Sequence, residues 1–193
     1  MADTQSKAAP LKAALLVMDF QKGIADRTPI PAVIQAAQAA IAAARGAGLP
    51  VLYCKVGFRE GYPEIGEGPP TFAMARANGL FCGPTSALID EIAPAPGEVV
   101  VDKKRFSAFA GNDLMTILIA KGVRHLVLAG ISTSGVVLST TRFAADLDFE
   151  ITILRDACFD PDPEVHEVLM SKVFPRQAKV TATAEWAAGL APA

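Results

Sequence analysis

Short apolar runs alternate with longer segments of helical pattern along almost the whole chain. Six runs have about the length of a β-strand, and most are apolar without interruption. Uninterrupted runs are typical of strands that are covered on both faces of a sheet. The predicted strands lie at residues 13–18, 51–56, 99–101, 125–129, 151–154 and 178–182.

Apolar residues at helical spacing fill the gaps between these runs. The predicted helices cover residues 31–47, 112–121, 133–147 and 163–173. Pro31 stands at a first-turn position that proline favours, and Gly122 follows the second helix as a stop signal. Strands that alternate with helices in this way predict a doubly wound parallel sheet with helices on both faces.

Residues 57–97 break this alternation. The segment holds many of the prolines and glycines and one short apolar patch at residues 87–92. Because so long a connection is unusual in a compact domain, we interpret it as a lid or an interface segment, with a plain surface excursion or dimer arm as the alternative. A single domain over residues 1–193 is predicted, with residues 1–12 flexible.

Composition narrows the classes of function. The net charge of −2 and the 7% aromatic share indicate neither a basic nucleic-acid surface nor base stacking. No apolar run approaches the roughly 18 residues of a membrane helix, and the first residues lack the apolar stretch of a signal peptide. A cytoplasmic location is therefore expected. There the three cysteines, Cys54, Cys82 and Cys158, would be free thiols packed as small hydrophobes.

Polar residues follow the first and third predicted strands, at the edge where open parallel sheets bind ligands. Asp19 comes directly after the first strand, where desolvation can raise its pKa into a range useful for proton transfer. Lys103 emerges at the same edge and can orient the carboxylate or stabilise negative charge. Considered alone, Asp19 favours the alternative of an acid that caps a loop or forms a structural ion pair. The charge run around Lys103 has a solvated basic turn as its usual alternative.

The fourth predicted strand leads through a tight turn into a helix. Thr133 or Ser134 is expected to cap this helix, with the amides of Gly135 and Val136 pointing at the pocket to bind an anion or an oxyanion. An ordinary capped helix start is the alternative. Because no histidine is close to these hydroxyl groups in the sequence, a Ser-His-Asp system is poorly supported.

Several segments, in order and at matching spacing, resemble the isochorismatase-like hydrolase superfamily, also called the cysteine hydrolases. They are ALLVMDFQ at 14–21, VDKKRFSAF at 101–109, NDL at 112–114, LVLAGISTSGVV at 126–137 and ILRDA at 153–157. The resemblance implies a three-layer α/β/α fold with a six-stranded parallel sheet, assembled as a homodimer or homotetramer. It also implies a catalytic trio of Asp, Lys and Cys. These fall on Asp19, on Lys103 (or Lys104 if the register slips) and on position 136.

Position 136 is a valine, whereas the family's pattern has the catalytic cysteine there. Valine has no nucleophilic atom, so the thioester route of the cysteine members is not expected. Cys158, placed just past the fifth strand, is the least remote thiol in this topology, and we interpret it as structural. The resemblance further implies a cis peptide between Ile131 and Ser132.

The predicted function is a small-molecule hydrolase that acts without a cysteine nucleophile, with Asp19 as general acid or base and Lys103 as its partner. The resemblance implies a route, because members that act on isochorismate protonate a vinyl ether from the Asp and let water take the cation. One alternative is an inactive member that binds a metabolite or a protein partner. Another is a variant with Ser132 or Ser134 as nucleophile, for which Asp19 is a poor base.

The predicted substrate-binding residues flank the same strand ends. They are Gln21, Arg105, Phe109, Ile131, Ser132, Ser134 and Gly135. Arg59 and Arg76 are further candidates for contact with a substrate carboxylate. The second Asp and two His of the family's zinc-binding branch are not found, so no metal and no cofactor is predicted. The expected partner is a small-molecule substrate, and neither nucleic acid nor a membrane is expected.

Overall fold

The computed structural model describes residues 12–27, 29–68 and 70–191. Within these ranges there are six strands: β1 (Ala13–Met18), β2 (Val51–Val56), β3 (Val99–Lys103), β4 (His125–Ile131), β5 (Glu150–Phe159) and β6 (Lys179–Thr181). They form one parallel sheet in the order β3-β2-β1-β4-β5-β6. The predicted parallel sheet is confirmed. The expectation for residues 1–12 lies outside the described residues except at Lys12.

Successive strands are added first on one side of β1 and then on the other. From β1 the chain builds outward through β2 to β3, then crosses back to place β4 on the other side of β1. Met18, the last residue of β1, therefore pairs with Cys54 on one side and Gly130 on the other. The carboxyl end of β1 lies at the switch point where open α/β sheets leave a crevice for ligands.

Each of the four predicted helices is present with different bounds, and three further helices of the described residues were not predicted. They are α1 (Lys22–Ala25), α2 (Pro31–Gly46), α3 (Pro70–Ala77), α4 (Leu114–Ala120), α5 (Leu138–Ala145), α6 (Pro163–Val168) and α7 (Thr183–Ala188). The segment predicted as one helix over 133–147 begins with a π-helical turn at Thr133–Val137. A second π-helical turn, Leu169–Val173, follows α6. None of the described helices is both long and apolar enough to cross a membrane.

Alternate residues of β1 divide the core into two layers. Leu15 and Val17 pack on the face covered by α2, whereas Leu16 and Met18 pack with Leu114 and Leu118 of α4 on the opposite face. Burial on both sides of the central strand confirms the three-layer α/β/α architecture.

The fifth strand is longer than predicted. The predicted strand ended at Leu154, but β5 continues to Phe159 through a shift in register against β4. Asp156 lies in this irregular part, where its Oδ1 accepts hydrogen bonds from the amide and hydroxyl of Thr183, each 2.8 Å long. Cys158 consequently lies inside the strand, where it pairs with Gly130, and its predicted position past the strand end was wrong.

The long connection of residues 57–97 packs back onto the sheet. Phe58, Ile65 and Phe72 form a small buried cluster with Val56 at the end of β2. The segment also contains α3 and two short 3₁₀ turns, Gly83–Ser86 and Asp90–Ile92. Its role as a lid or interface segment stays a prediction.

Replacing Gly130 by alanine is expected to destabilise the fold by about 1–3 kcal/mol, because an added Cβ lies 3.2 Å from Met18 and from Val137 in the packed centre of the sheet. Gly46→Ala is the matched control, since its added Cβ has no atom of the described residues within 4 Å. The unfolding free energy of that control should rise by up to about 1 kcal/mol. Urea unfolding of both variants measures the difference, and equal midpoints would contradict this account of the β1–β4 packing.

Candidate active site

A buried ion pair joins the ends of β1 and β3. Lys103 Nζ lies 2.9 Å from Asp19 Oδ2, and the side chains are only 1% and 6% exposed. Nζ also donates to the carbonyl oxygen of Arg105 at 3.0 Å. Lys104 instead points away, toward the carbonyl of Gly57 and the carboxylate of Glu64. The structure therefore brings Asp19 together with Lys103, not with Lys104.

The backbone at Asp19 aims its side chain toward this contact. Asp19 has φ of 63°, a left-handed conformation that is uncommon for residues other than glycine. Its amide donates to the carbonyl of Cys54 at 2.8 Å, which continues the β1–β2 ladder by one residue. The chain thus leaves β1 by a sharp turn while its first polar residue stays attached to the sheet.

Burial raises the pKa of Asp19 to about 6, although the neighbouring charge and hydrogen bond of Lys103 act in the opposite direction. Asp19 Oδ1 is buried and has no hydrogen-bond partner among the described residues. Lys103 therefore holds one carboxylate oxygen, and the other is buried without a partner in a residue that lines the adjacent space. A carboxyl group with this pKa is able to donate and accept protons near neutral pH.

The adjacent space is a cavity of about 470 Å³. Its volume falls in the range of roughly 300–1,000 Å³ that is usual for small-molecule sites. Asp19, Lys103 and Val136 all line it. Much of the wall is apolar. It comes from α1, the residue before α2, α3, residues 81 and 106, and the end of β5: Ile24, Ile30, Phe72, Ala75, Phe81, Phe106 and Phe159.

The turn after β4 differs from the prediction in its capping residue. Ser132 is the cap, since its Oγ accepts a hydrogen bond from the amide of Gly135 at 3.1 Å. The amide of Gly135 is therefore already engaged, and its predicted freedom to bind an oxyanion was wrong. The prediction that the peptide between Ile131 and Ser132 is cis is confirmed.

Two residues from later in the chain hold this turn in place. Thr133 is fully buried, and its hydroxyl lies 2.8 Å from Nδ1 of His166. The amide of Ser134 donates to Asp160 Oδ2 at 2.7 Å. His166 thus reaches the turn in space although it is distant in sequence, but its partner is Thr133, which does not line the cavity.

The cavity wall contains Val136 and none of the three cysteines. Val136 is 2% exposed and packs into the core below the turn. Cys54 and Cys158 are buried in strands, and burial raises the pKa of both thiols, that of Cys158 to about 12. Thiols held in the protonated form are poor nucleophiles.

Four of the predicted substrate-binding residues, Arg105, Ile131, Ser132 and Gly135, line the cavity. Gln21, Phe109 and Ser134 do not, so their predicted contact with substrate finds no support in their positions. The amide of Gln21 is occupied by the backbone of Val56 and the carbonyl of Ser86. Phe109 stacks on Phe143 at 4.9 Å between ring centres, and Ser134 is exposed outside the wall.

Arg27 lines the cavity and was missed by the sequence reasoning. It lies just after α1, close in sequence to Asp19, and this proximity was the signal available. Arg59 pairs with Glu64 at 2.8 Å, and Arg76 donates to the carbonyl of Ile65, so neither candidate contributes to the wall. In the described part of the chain, no group of three or more His, Cys, Asp or Glu is arranged to hold a metal ion.

Comparison with known proteins agrees with this architecture. The isochorismatase domain family matches residues 13–185. A cysteine hydrolase from Pseudomonas syringae pv. phaseolicola 1448A has a similar structure, with a TM-score of 0.84, 24% identity, and coverage of 94% of this chain and 97% of that one. An isochorismatase family protein from Burkholderia thailandensis is similar with a TM-score of 0.79 and 24% identity, over 94% of this chain and 97% of that one. N-carbamoylsarcosine amidase from Thermoplasma acidophilum is similar with a TM-score of 0.71 and 27% identity, over 90% of this chain and 97% of that one.

Asp19→Asn is expected to cost roughly 3–5 kcal/mol of unfolding free energy, because it leaves the ammonium of Lys103 buried without its counter-charge. Asp102→Asn is the matched control. Asp102 pairs with Lys55 at 2.6 Å near the same sheet edge, but the side chains are 51% and 20% exposed. The control variant should therefore lose less than about 1 kcal/mol of unfolding free energy. Chemical denaturation compares the two variants, and similar losses would show that the Asp19–Lys103 pair is not desolvated as described.

Proposed function

Because the chain belongs to the isochorismatase domain family, we propose that it is a small-molecule hydrolase that works without a cysteine nucleophile. Asp19 is the general acid and base of this proposal, and Lys103 is the group that stabilises its carboxylate. Val136 occupies the position of the family's cysteine. The proposal includes a small-molecule substrate and assembly as a homodimer or homotetramer.

One observation carries the proposal: Asp19, a buried carboxyl group with a pKa of about 6, lines a mostly apolar cavity and is paired with Lys103. Chemistry that needs a proton donor is favoured by this arrangement. Chemistry that needs a thiolate is disfavoured, because the buried thiols titrate far above neutral pH.

Vinyl ether hydrolysis fits these groups. In the first step, protonated Asp19 gives its proton to the terminal vinyl carbon, and the electron pair of the double bond forms the new C–H bond. The ether carbon becomes an oxocarbenium ion, while the Asp19 carboxylate is stabilised by Lys103 at 2.9 Å. Water then adds to the cation and returns a proton to Asp19. Collapse of the resulting hemiketal releases an alcohol and a ketone, so one water is consumed overall.

The other candidate mechanisms have less support. The amide of Gly135, which was expected to stabilise an oxyanion, is bonded to Ser132. The hydroxyl of Ser132 accepts that same bond and donates to no base among the described residues, and Ser134 is outside the cavity wall. No specific observation favours an inactive member over an active one.

Asp19→Asn is expected to lower turnover roughly 100- to 10,000-fold, because asparagine has no acidic proton to give. A screen of vinyl ethers, amides and esters supplies the assay. In the unmodified protein, kcat/KM for a vinyl ether should fall as pH rises through about 6, since the acidic form of Asp19 is lost there. Asp102→Asn, outside the cavity wall, should keep the activity and the profile. An unchanged rate in Asp19→Asn would remove Asp19 from this role.

Treatment with iodoacetamide is expected to leave turnover intact. The reagent should label Cys82, which is partly exposed, more readily than the buried thiols of Cys54 and Cys158. Activity and peptide mass spectrometry are followed on the same sample. Loss of activity in step with labelling at Cys54 or Cys158 would argue for a thiol mechanism instead.

A further inference from the structure

We propose that the cavity selects small organic anions: an apolar body packs against its phenylalanines, and an oxyanion group pairs with Arg27 and Arg105. This inference rests on the proposed function for the identity of the site, and it specifies the class of substrate that the site accepts. It concerns binding, so it is testable whether or not turnover is found.

Among the charged side chains in the described wall, cations outnumber anions. Asp19, Lys103, Arg27 and Arg105 line the cavity. Lys103 and Asp19 are held by each other at 2.9 Å and offset each other's charge. The two arginines remain, and neither forms an ion pair with an acidic side chain of the described residues. A ligand that enters the cavity therefore meets a net positive potential, which attracts anions and repels amines.

Arg105 is exposed, like Arg27, but contacts with three neighbouring residues orient its guanidinium. Its guanidinium carbon lies 5.1 Å from the ring centre of Phe72, and Nη2 donates to the carbonyl of Glu64 at 2.9 Å. Nη1 donates to the carbonyl of Lys104 at 2.6 Å. These bonds leave further N–H groups of the guanidinium available, and its planar fork matches the geometry of a carboxylate or phosphate. Because the group is already ordered, binding an anion costs little side-chain entropy.

The same residue connects recognition to the reacting groups. The carbonyl oxygen of Arg105 accepts the hydrogen bond from Lys103 Nζ, while its side chain lines the cavity. An anion held by this guanidinium lies in the cavity that also contains the Asp19 carboxyl. A substrate with an oxyanion near its reacting bond satisfies both contacts together.

Arg27 supplies the second cation from the segment after α1. It is exposed and lies next to the apolar wall formed by Ile24 and Ile30. Its exposure gives it freedom to reach ligands of different length. Arg27 therefore contributes charge and adaptability, whereas Arg105 contributes fixed geometry.

The body of the ligand is constrained by the remaining wall. Phenylalanine rings at 72, 81, 106 and 159 surround the space, together with aliphatic side chains. Apart from the charged residues, Thr71 and Ser132 are the polar side chains in the described wall, so most polar groups on the ligand body would lose their water without a partner, which is costly. The wall consequently favours an aromatic or aliphatic body over a polyhydroxylated one.

Equilibrium binding to the full chain at pH 7.5 tests this inference with four probes of similar size: phenylacetate, phenyl phosphate, phenylacetamide and 2-phenylethylamine. At least one of the two anions should bind about tenfold or more tightly than the neutral amide, and the amine should bind most weakly. The ratio between phenylacetate and phenyl phosphate identifies the preferred oxyanion. Arg27→Gln and Arg105→Gln should each reduce the preference for the anion over the amide, while affinity for the amide changes little.

Arg124→Gln is the matched control. Its guanidinium carbon lies 5.2 Å from the ring centre of Phe149, and Nη2 donates to the carbonyl of Asp148 at 3.4 Å, so its surroundings resemble those of Arg105. It precedes β4 at the opposite end of the sheet and is not in the cavity wall. This variant should keep the full preference for the anion.

Equal affinity for anion and amide, a preference for the amine, or no binding of any probe at millimolar concentration would overturn the inference. An undiminished preference for the anion in both Arg27→Gln and Arg105→Gln would also overturn the inference. Since Arg27 is exposed, its variant is expected to fold even if Arg105→Gln does not. Selective anion binding without turnover of any tested substrate would contradict the proposed hydrolase function. It would still support the inference that the cavity binds anions.

Discussion

The buried ion pair between Asp19 and Lys103 is the constraint on which the rest of the site depends. Each charge would be costly to bury alone, and the pair is tolerated because the two side chains meet at 2.9 Å. Their strands are not neighbours, since β2 lies between β1 and β3. The contact therefore exists only if the three strands assemble in the right order and register. The candidate chemistry is a direct consequence of that assembly.

The pair also explains why the site is suited to acid chemistry. Burial raises the pKa of Asp19 and the lysine limits the rise, so the carboxyl titrates near neutral pH. The turn after β4 supplies the opposite wall with Ser132, Gly135 and a valine side chain. Contacts from His166 and Asp160 hold this turn. The structure thus combines a carboxyl group of raised pKa with a wall whose described residues contain no sulfur atom.

Sequence reasoning predicted Asp19 and Lys103 correctly as neighbours, because residues at the carboxyl ends of parallel strands must emerge at one edge. It was less successful with residues whose direction depends on turns. Gln21 is only two positions from Asp19, yet its side chain bonds to the backbone of Val56 instead of facing the cavity. Arg27 and the phenylalanine walls of the long connection were missed, since strand patterns say nothing about how an irregular segment folds back.

The amino-acid sequence by itself determined the alternation of strands and helices, the parallel sheet, the acid and amine at the strand ends and the absence of a thiol at position 136. The strands, the helices and the parallel sheet follow from local periodicity and from the handedness of strand–helix–strand connections, whereas the importance of position 136 comes from the family resemblance. Only the tertiary structure decided which hydroxyl caps the turn, how deeply Asp19 is desolvated and which arginines reach the cavity. Those properties depend on contacts between residues far apart in the chain, and their energies arise only when the packed core excludes water.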